Sequence, residues 1–273
     1  MARLLCSTGA LIGRPNGRNH RLLPGLAEKL SCDGLEMMFY DSWYGQEEEV
    51  IQSLKNTPLP TPVFHAEKNI CLSLSSDREA EKGLQLFETN CRTAKALQAE
   101  KMVFHLWDGR MDIPAMERAM AHVPKLMEIS AAHGILFTVE NIVSMYTDPL
   151  SCLRLLHERY PSLPFTYDTK MASFHGQESS LYENGNMHLL PCIRHFHIND
   201  YRGNPMDWQC FRTLHPGEGQ VDFPRLFALA KQINYTGDYT VEATSFEKTG
   251  FVDCDKLNRT LMHIRQMMNE TGD

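Results

Sequence analysis

No stretch of this 273-residue chain is as apolar as a membrane-spanning helix must be, which needs about 20 consecutive apolar residues. Positive charge is not in excess either. Lys and Arg number 27 against 34 Asp and Glu, a formal net charge of −7, so a nucleic-acid backbone finds no basic footprint here. No GxGxxG or P-loop follows the first strand-like run, and the nucleotide-binding doubly wound folds lose their usual signature. The GEG at 217–219 is too short to count and falls late in the chain. Eight cysteines, at 6, 32, 71, 91, 152, 192, 210 and 254, include no CxxC pair and no zinc-ribbon or small-disulfide spacing. They read as buried thiols of a reducing compartment, so a cytoplasmic protein is expected. No Gly-rich elbow marks any of them as a nucleophile. In the N-terminal MARLLCSTGALIG, Ser7 and Thr8 interrupt the apolar run after Arg3 and no cleavage motif is clear. That segment is expected to be a first strand, not a signal peptide.

What the chain does have is ordinary globular composition, 42% hydrophobic and 22% charged, and a regular alternation. Strand-like runs occupy 3–8, 34–40, 61–67, 101–107, 135–141, 164–169, 193–199 and 238–244, eight in all. Amphipathic helical stretches separate them. One is expected to start at an Asp77 N-cap, with Ala80, Leu84, Phe87, Cys91, Ala94 and Leu97 recurring at helical steps. Asp112 opens another, with Pro114 in its first turn and a break expected at Pro124. Asp148-Pro149 and Asp222-Phe223-Pro224 open two more. No linker or low-complexity tract divides residues 1–273. The expected fold class is α/β, a single (β/α)8 TIM barrel.

In such a barrel the functional mouth lies at the C-terminal ends of the strands. Ionisable or amide residues crowd there: His65 and Glu67, His105 and Asp108, Glu140 and Asn141, Asp168, His195, His197 and Asp200, and Glu242. Burying these unpaired would cost several kcal/mol each, so something at the mouth must compensate. Taken singly, Glu140 and Glu242 are equally well read as carboxylates near helix N-termini. Taken with Asp168 and His197 at the same relative position, the four make a divalent metal site. Of the two histidines in 193–199, His197 is assigned to the inside of the barrel and His195 to the outside. The many methionines read as core filler.

The segments ILFTVEN, FTYDT, HFHIND, HPGEGQVDF and GDYTVEA resemble, in order and spacing, those of the xylose isomerase-like barrel superfamily. That group includes sugar phosphate isomerases and epimerases, ketose 3-epimerases, inosose dehydratase and the endonuclease IV group. The resemblance implies metal ligation by Glu140, Asp168, His197 and Glu242, with the two glutamates also handling protons on opposite faces of a substrate. It places Glu218, in PGEG, near the mouth. Where many relatives carry a histidine this chain has Met171, and His175 is the expected substitute. The endonuclease branch also needs an Asp-x-His pair where Phe211 and Thr213 stand, so DNA repair is not expected.

The function expected is therefore isomerisation or epimerisation of a small carbohydrate by proton abstraction beside a carbonyl, through an enediolate. A keto-sugar or inosose-type dehydratase using the same site is the alternative, and a non-catalytic sugar-binding barrel a weaker third. Glu140 and Glu242 are the expected acid and base. His65, His105, Trp107, His175, Arg202 and Glu218 are expected to bind substrate, Arg202 because a guanidinium offers a fork to an anionic group. Three carboxylates and one imidazole suit Mn²⁺ first, with Mg²⁺, Co²⁺ or Zn²⁺ following. Relatives are often dimers or tetramers, so a homo-oligomer is in keeping with the resemblance.

Overall fold

A computed structural model describes residues 2–183 and 186–270. Eight parallel strands close into a barrel in sequence order. They are β1 (Leu4–Ser7), β2 (Gly34–Met38), β3 (Val63–His65), β4 (Lys101–Phe104), β5 (Leu136–Glu140), β6 (Phe165–Asp168), β7 (Ile193–Ile198) and β8 (Asp238–Val241). Closure is made by β1 against β8, with Leu4 opposite Tyr239 and Cys6 opposite Val241. Each observed strand lies within its expected run, trimmed at the ends. All eight cysteines are free thiols.

The helices form where an Asp cap meets a proline. Asp112 Oδ1 accepts from Ala115 N–H at 2.9 Å, Asp148 Oδ1 from Ser151 N–H at 2.8 Å and Asp222 Oδ1 from Arg225 N–H at 3.0 Å. Each satisfies an amide that the first helical turn leaves without a carbonyl. Pro124 splits the fourth connection into Ile113–Ala121 and Val123–Ala132, as its missing N–H requires. Asp77 does not cap the preceding long helix. That helix begins at Ala80 and ends at Ala96, and Asp77 lies in the turn before it. Phe87, Cys91 and Ala94 are fully buried on its inner face, as its periodicity requires. Among the described residues no helix is long and apolar enough to cross a membrane.

The barrel interior is unusually polar. Leu5, Val63 and Val103 form a small apolar cluster apart from the main core. Around and above them sit Glu36, Thr138, Thr166, His195 and Thr240, all fully buried. Thr138 and Thr166 hydroxyls pair at 2.7 Å. The N-terminal end is closed by ions: Asp238 accepts from Arg3 Nε at 2.8 Å and from Lys101 Nζ at 3.2 Å, and Arg3 reaches Glu100 at 2.8 Å.

Candidate metal centre

At the opposite end, β5 to β8 deliver Glu140, Asp168, His197 and Glu242 to one point. His197 Nδ1 lies 3.2 Å from Glu140 Oε1, 3.7 Å from Glu242 Oε1 and 3.9 Å from Asp168 Oδ2. His197 and Asp168 have no exposed surface, while the Glu242 side chain keeps 14% of its own. Parallel register explains the convergence, because Asp168 sits opposite His197 on adjacent strands. Two asparagines fix the carboxylates. Asn199 Nδ2 donates to Asp168 Oδ2 at 2.7 Å and to Glu242 Oε2 at 2.9 Å. Asn141 Oδ1 accepts from the Asp168 amide at 2.5 Å, and its Nδ2 donates to the Asp168 carbonyl at 3.0 Å. Asp168 also caps the short helix Thr169–Phe174 by accepting from Met171 N–H at 2.8 Å.

The charge balance is that of a donor set suited to a cation. Burial pushes the Asp168 carboxyl up to about 6; nearby Lys170 opposes the rise, and the Glu140 and Glu242 carboxylates add to it. Burial pushes His197 down, but Glu242, Glu36 and Glu140 more than reverse this and hold its imidazolium well above the usual range. For Glu140 burial acts upward, and His197 and His105 carry it well below the ordinary carboxylate value. Three carboxylate groups and a ring nitrogen around a water-poor point fit a hard to borderline divalent ion. Glu140, Asp168 and His197 place one ligand atom each within metal-binding reach of one another.

His65 and His105 flank Glu140 on the other side. His105 Nε2 lies 2.9 Å and His65 Nε2 3.3 Å from Glu140 Oε2, and the two rings meet edge to face. His65 Nδ1 donates to the Ala66 carbonyl at 3.0 Å, an assignment that leaves its Nε2 as an acceptor when the ring is neutral. Burial pushes His105 down, against the opposing pull of the Glu140 carboxylate. A cleft of about 500 Å³ opens beside these histidines, walled by Arg14, Arg18, Tyr40, Asp41, Glu67 and Lys68. A second, of about 570 Å³, lies across His105 against Val143, Met145, Met171, Trp208 and Phe211.

Several expected site residues are elsewhere. His195 is not outside the barrel: it is fully buried within it, its ring 5.1 Å from that of His197. Residues two apart share a face of a strand, and the outward assignment is corrected accordingly. Trp107 is buried, and its indole N–H is taken by the Ile142 carbonyl at 3.0 Å. His175 Nε2 accepts from the Ser144 amide at 3.2 Å. Arg202 and Glu218 are turned to each other: the guanidinium donates to the Glu218 carbonyl, while the Glu218 carboxylate pairs with Lys256 at 2.8 Å. The PGEG run is instead held by Asp200, which accepts from Gly217, Gly219 and Val221 amides at 2.9, 2.8 and 3.1 Å. Where the endonuclease pair would stand, Phe211 walls the second cleft and Thr213 accepts from Lys170 at 3.0 Å.

Glu36 and Asn199 were not foreseen. Glu36, in the middle of β2, accepts from His195 Nε2 at 2.8 Å through Oε2 and from His197 Nε2 at 3.0 Å through Oε1. A lone glutamate inside an apolar strand run was the available signal.

The closed barrel gathers carboxylates and imidazoles at the C-terminal ends of its strands, the end at which barrels of this fold carry their sites. The chain belongs to the xylose isomerase-like TIM barrel family, whose model matches residues 24–261. No curated protein matches it by sequence. Solved structures similar to it include an L-ribulose 3-epimerase, at 15% identity and a TM-score of 0.73, covering 99% of this chain and 96% of that one. A D-allulose 3-epimerase from Methylomonas sp. in complex with D-allulose is 18% identical, with a TM-score of 0.73 and 97% of each chain covered. A 3-keto-D-glucoside 4-epimerase from E. coli is 17% identical, with a TM-score of 0.66 over 97% of this chain and all (100%) of that one. At such identities the likeness establishes the fold.

Proposed function

We propose that the protein is a metal-dependent isomerase or epimerase of a small carbohydrate bearing an α-hydroxy carbonyl unit. The observation that carries this is the approach of three carboxylates to His197 Nδ1, within 3.2 to 3.9 Å, beside an open cleft. Glu140, Asp168, His197 and Glu242 would hold the ion, with Mn²⁺ first among the candidates for this donor set. When bound, such an ion supplies Lewis-acid polarisation of a carbonyl oxygen.

The proton chemistry belongs to the chain. Glu140 from β5 and Glu242 after β8 lie on different strands around His197, so one can take a proton from the carbon beside the carbonyl while the other returns it. A positioned carboxylate in this role contributes roughly 10²–10⁴-fold. Asn199 holds Glu242 in place through its amide. His65 and His105 face the cleft and can orient substrate hydroxyls, His105 being the more open, with 20% of its side chain exposed. Ribulose and allulose, the sugars for which two of the similar epimerases are named, are of the required chemical type.

The test is a panel of ketoses and keto-sugars incubated with the protein and Mn²⁺ in heavy water. A carbon-bound deuterium in a product of unchanged skeleton identifies an isomerase or epimerase. Loss of water from the product assigns the dehydratase alternative. Neither exchange nor elimination with any sugar refutes both.

A further inference from the structure

Below the four residues just discussed lies a buried pair that the proposed chemistry does not use. Glu36 and His195 are completely inaccessible to solvent, and a carboxylate in such a place is stable only if its oxygens are bonded. Both are. Oε2 faces His195 Nε2 at 2.8 Å and Oε1 faces His197 Nε2 at 3.0 Å. His195 Nε2 is also 3.0 Å from the Thr240 hydroxyl, while its Nδ1 has no partner. A neutral imidazole with one bonded nitrogen places its proton there, so His195 donates through Nε2. Glu36 is thus pinned from one side by His195 and presents its other oxygen to His197.

We propose that Glu36 is a positioning residue for the metal centre and that His195 is its anchor. The inference rests on the metal reading given above. In the neutral ring that a metal requires, a carboxylate accepting from His197 Nε2 keeps the proton on that nitrogen and leaves the Nδ1 lone pair free. Nδ1 is the atom that faces Glu140, Asp168 and Glu242. Glu36 therefore selects both the tautomer and the ring orientation that complete the donor set, and its charge makes Nδ1 a better donor. Glu36 meets His197 at Nε2, the ring nitrogen opposite the Nδ1 that the three carboxylates face, which is the place of a positioning group. The barrel is built to support this: Glu36 is at the level of Ser7 on β1 and Val63 on β3, one layer beneath the mouth.

The experiment measures Mn²⁺ binding to the full chain by the paramagnetic resonance of free Mn²⁺, with circular dichroism recording the fold. Glu36→Gln retains shape but removes the charge, and is expected to weaken Mn²⁺ binding by roughly 10–100-fold. His195→Gln keeps an amide donor toward Glu36 and is expected to bind Mn²⁺ better than His195→Leu, which has none. If the unaltered protein binds Mn²⁺ while Glu36→Gln binds it as tightly, the positioning role is wrong and the metal reading stands. If the unaltered protein binds no divalent ion, the metal reading itself fails. Should Glu36→Gln not fold, the nitrogen-15 spectrum of the unaltered protein loaded with Zn²⁺ decides. A proton on His197 Nε2 with the metal on Nδ1 sustains the proposal, and the reverse arrangement overturns it.

Discussion

Loading the centre with a divalent ion should expel protons from its ligands. In the metal-free protein His197 is held as an imidazolium by Glu242, Glu36 and Glu140 against the opposing effect of burial. Asp168, pushed up by burial to about 6, is protonated in a minor fraction at neutral pH. A metal ligand must be deprotonated, so each ion bound displaces whatever proton its ligands carry. His197 gives up its ring proton, and Asp168 adds roughly 0.1 of a proton at pH 7 and about half at pH 6. The sign is that acid weakens binding: Kd for Mn²⁺ should rise as the pH falls, and more steeply below about pH 6 as Asp168 also competes. Isothermal titration calorimetry in two buffers of different ionisation enthalpy reads the proton count directly. Heats that do not depend on the buffer at pH 7 would refute the claim that His197 enters the site from its protonated form.

Four further outcomes are expected. Glu140→Gln and Glu242→Gln should each lower turnover by at least roughly 10²-fold with the far-ultraviolet dichroism unchanged; an active Glu242→Gln variant shows the acid–base assignment to be wrong. Asp238→Asn leaves the buried Lys101 ammonium without its carboxylate and Arg3 with Glu100 alone, and urea unfolding should show a loss of about 3–5 kcal/mol. Gly219→Ala would drive a methyl against the Asp200 carboxylate and the Tyr201 carbonyl, costing about 1–3 kcal/mol in thermal unfolding if the loop cannot yield. Asp148→Ala removes the cap on Pro149–Arg159 and should cost about 1 kcal/mol.

The barrel was legible because eight short apolar runs alternate with amphipathic stretches, several of them opened by capping aspartates. Glu140, Asp168 and His197 were legible for a related reason: each lies at or next to the C-terminal end of a strand, where a barrel places its chemistry. Glu36 was not, because it sits within GLEMM, flanked by apolar residues, and its role exists only through contacts with β7, more than 150 residues away (159 to His195). The sidedness of His195 was available from strand geometry and was assigned wrongly. Arg202 and Glu218 depended on how a loop folds back. That path is set by three amides converging on Asp200, which no spacing rule reveals. Trp107 lies beyond the end of β4 at Phe104, where the chain turns its indole inward to the Ile142 carbonyl.

The two halves of the barrel carry different burdens. The side chains proposed to hold an ion stand on or just after β5 to β8, whereas Arg14, Arg18, Tyr40, Asp41, Glu67 and Lys68 stand on the connections that follow β1, β2 and β3. On the proposed function, rewriting those three connections would change which molecule is admitted while leaving Glu140, Asp168, His197 and Glu242 in place, provided Glu36, His65 and His105, which reach across from the first half to His197 and Glu140, are kept.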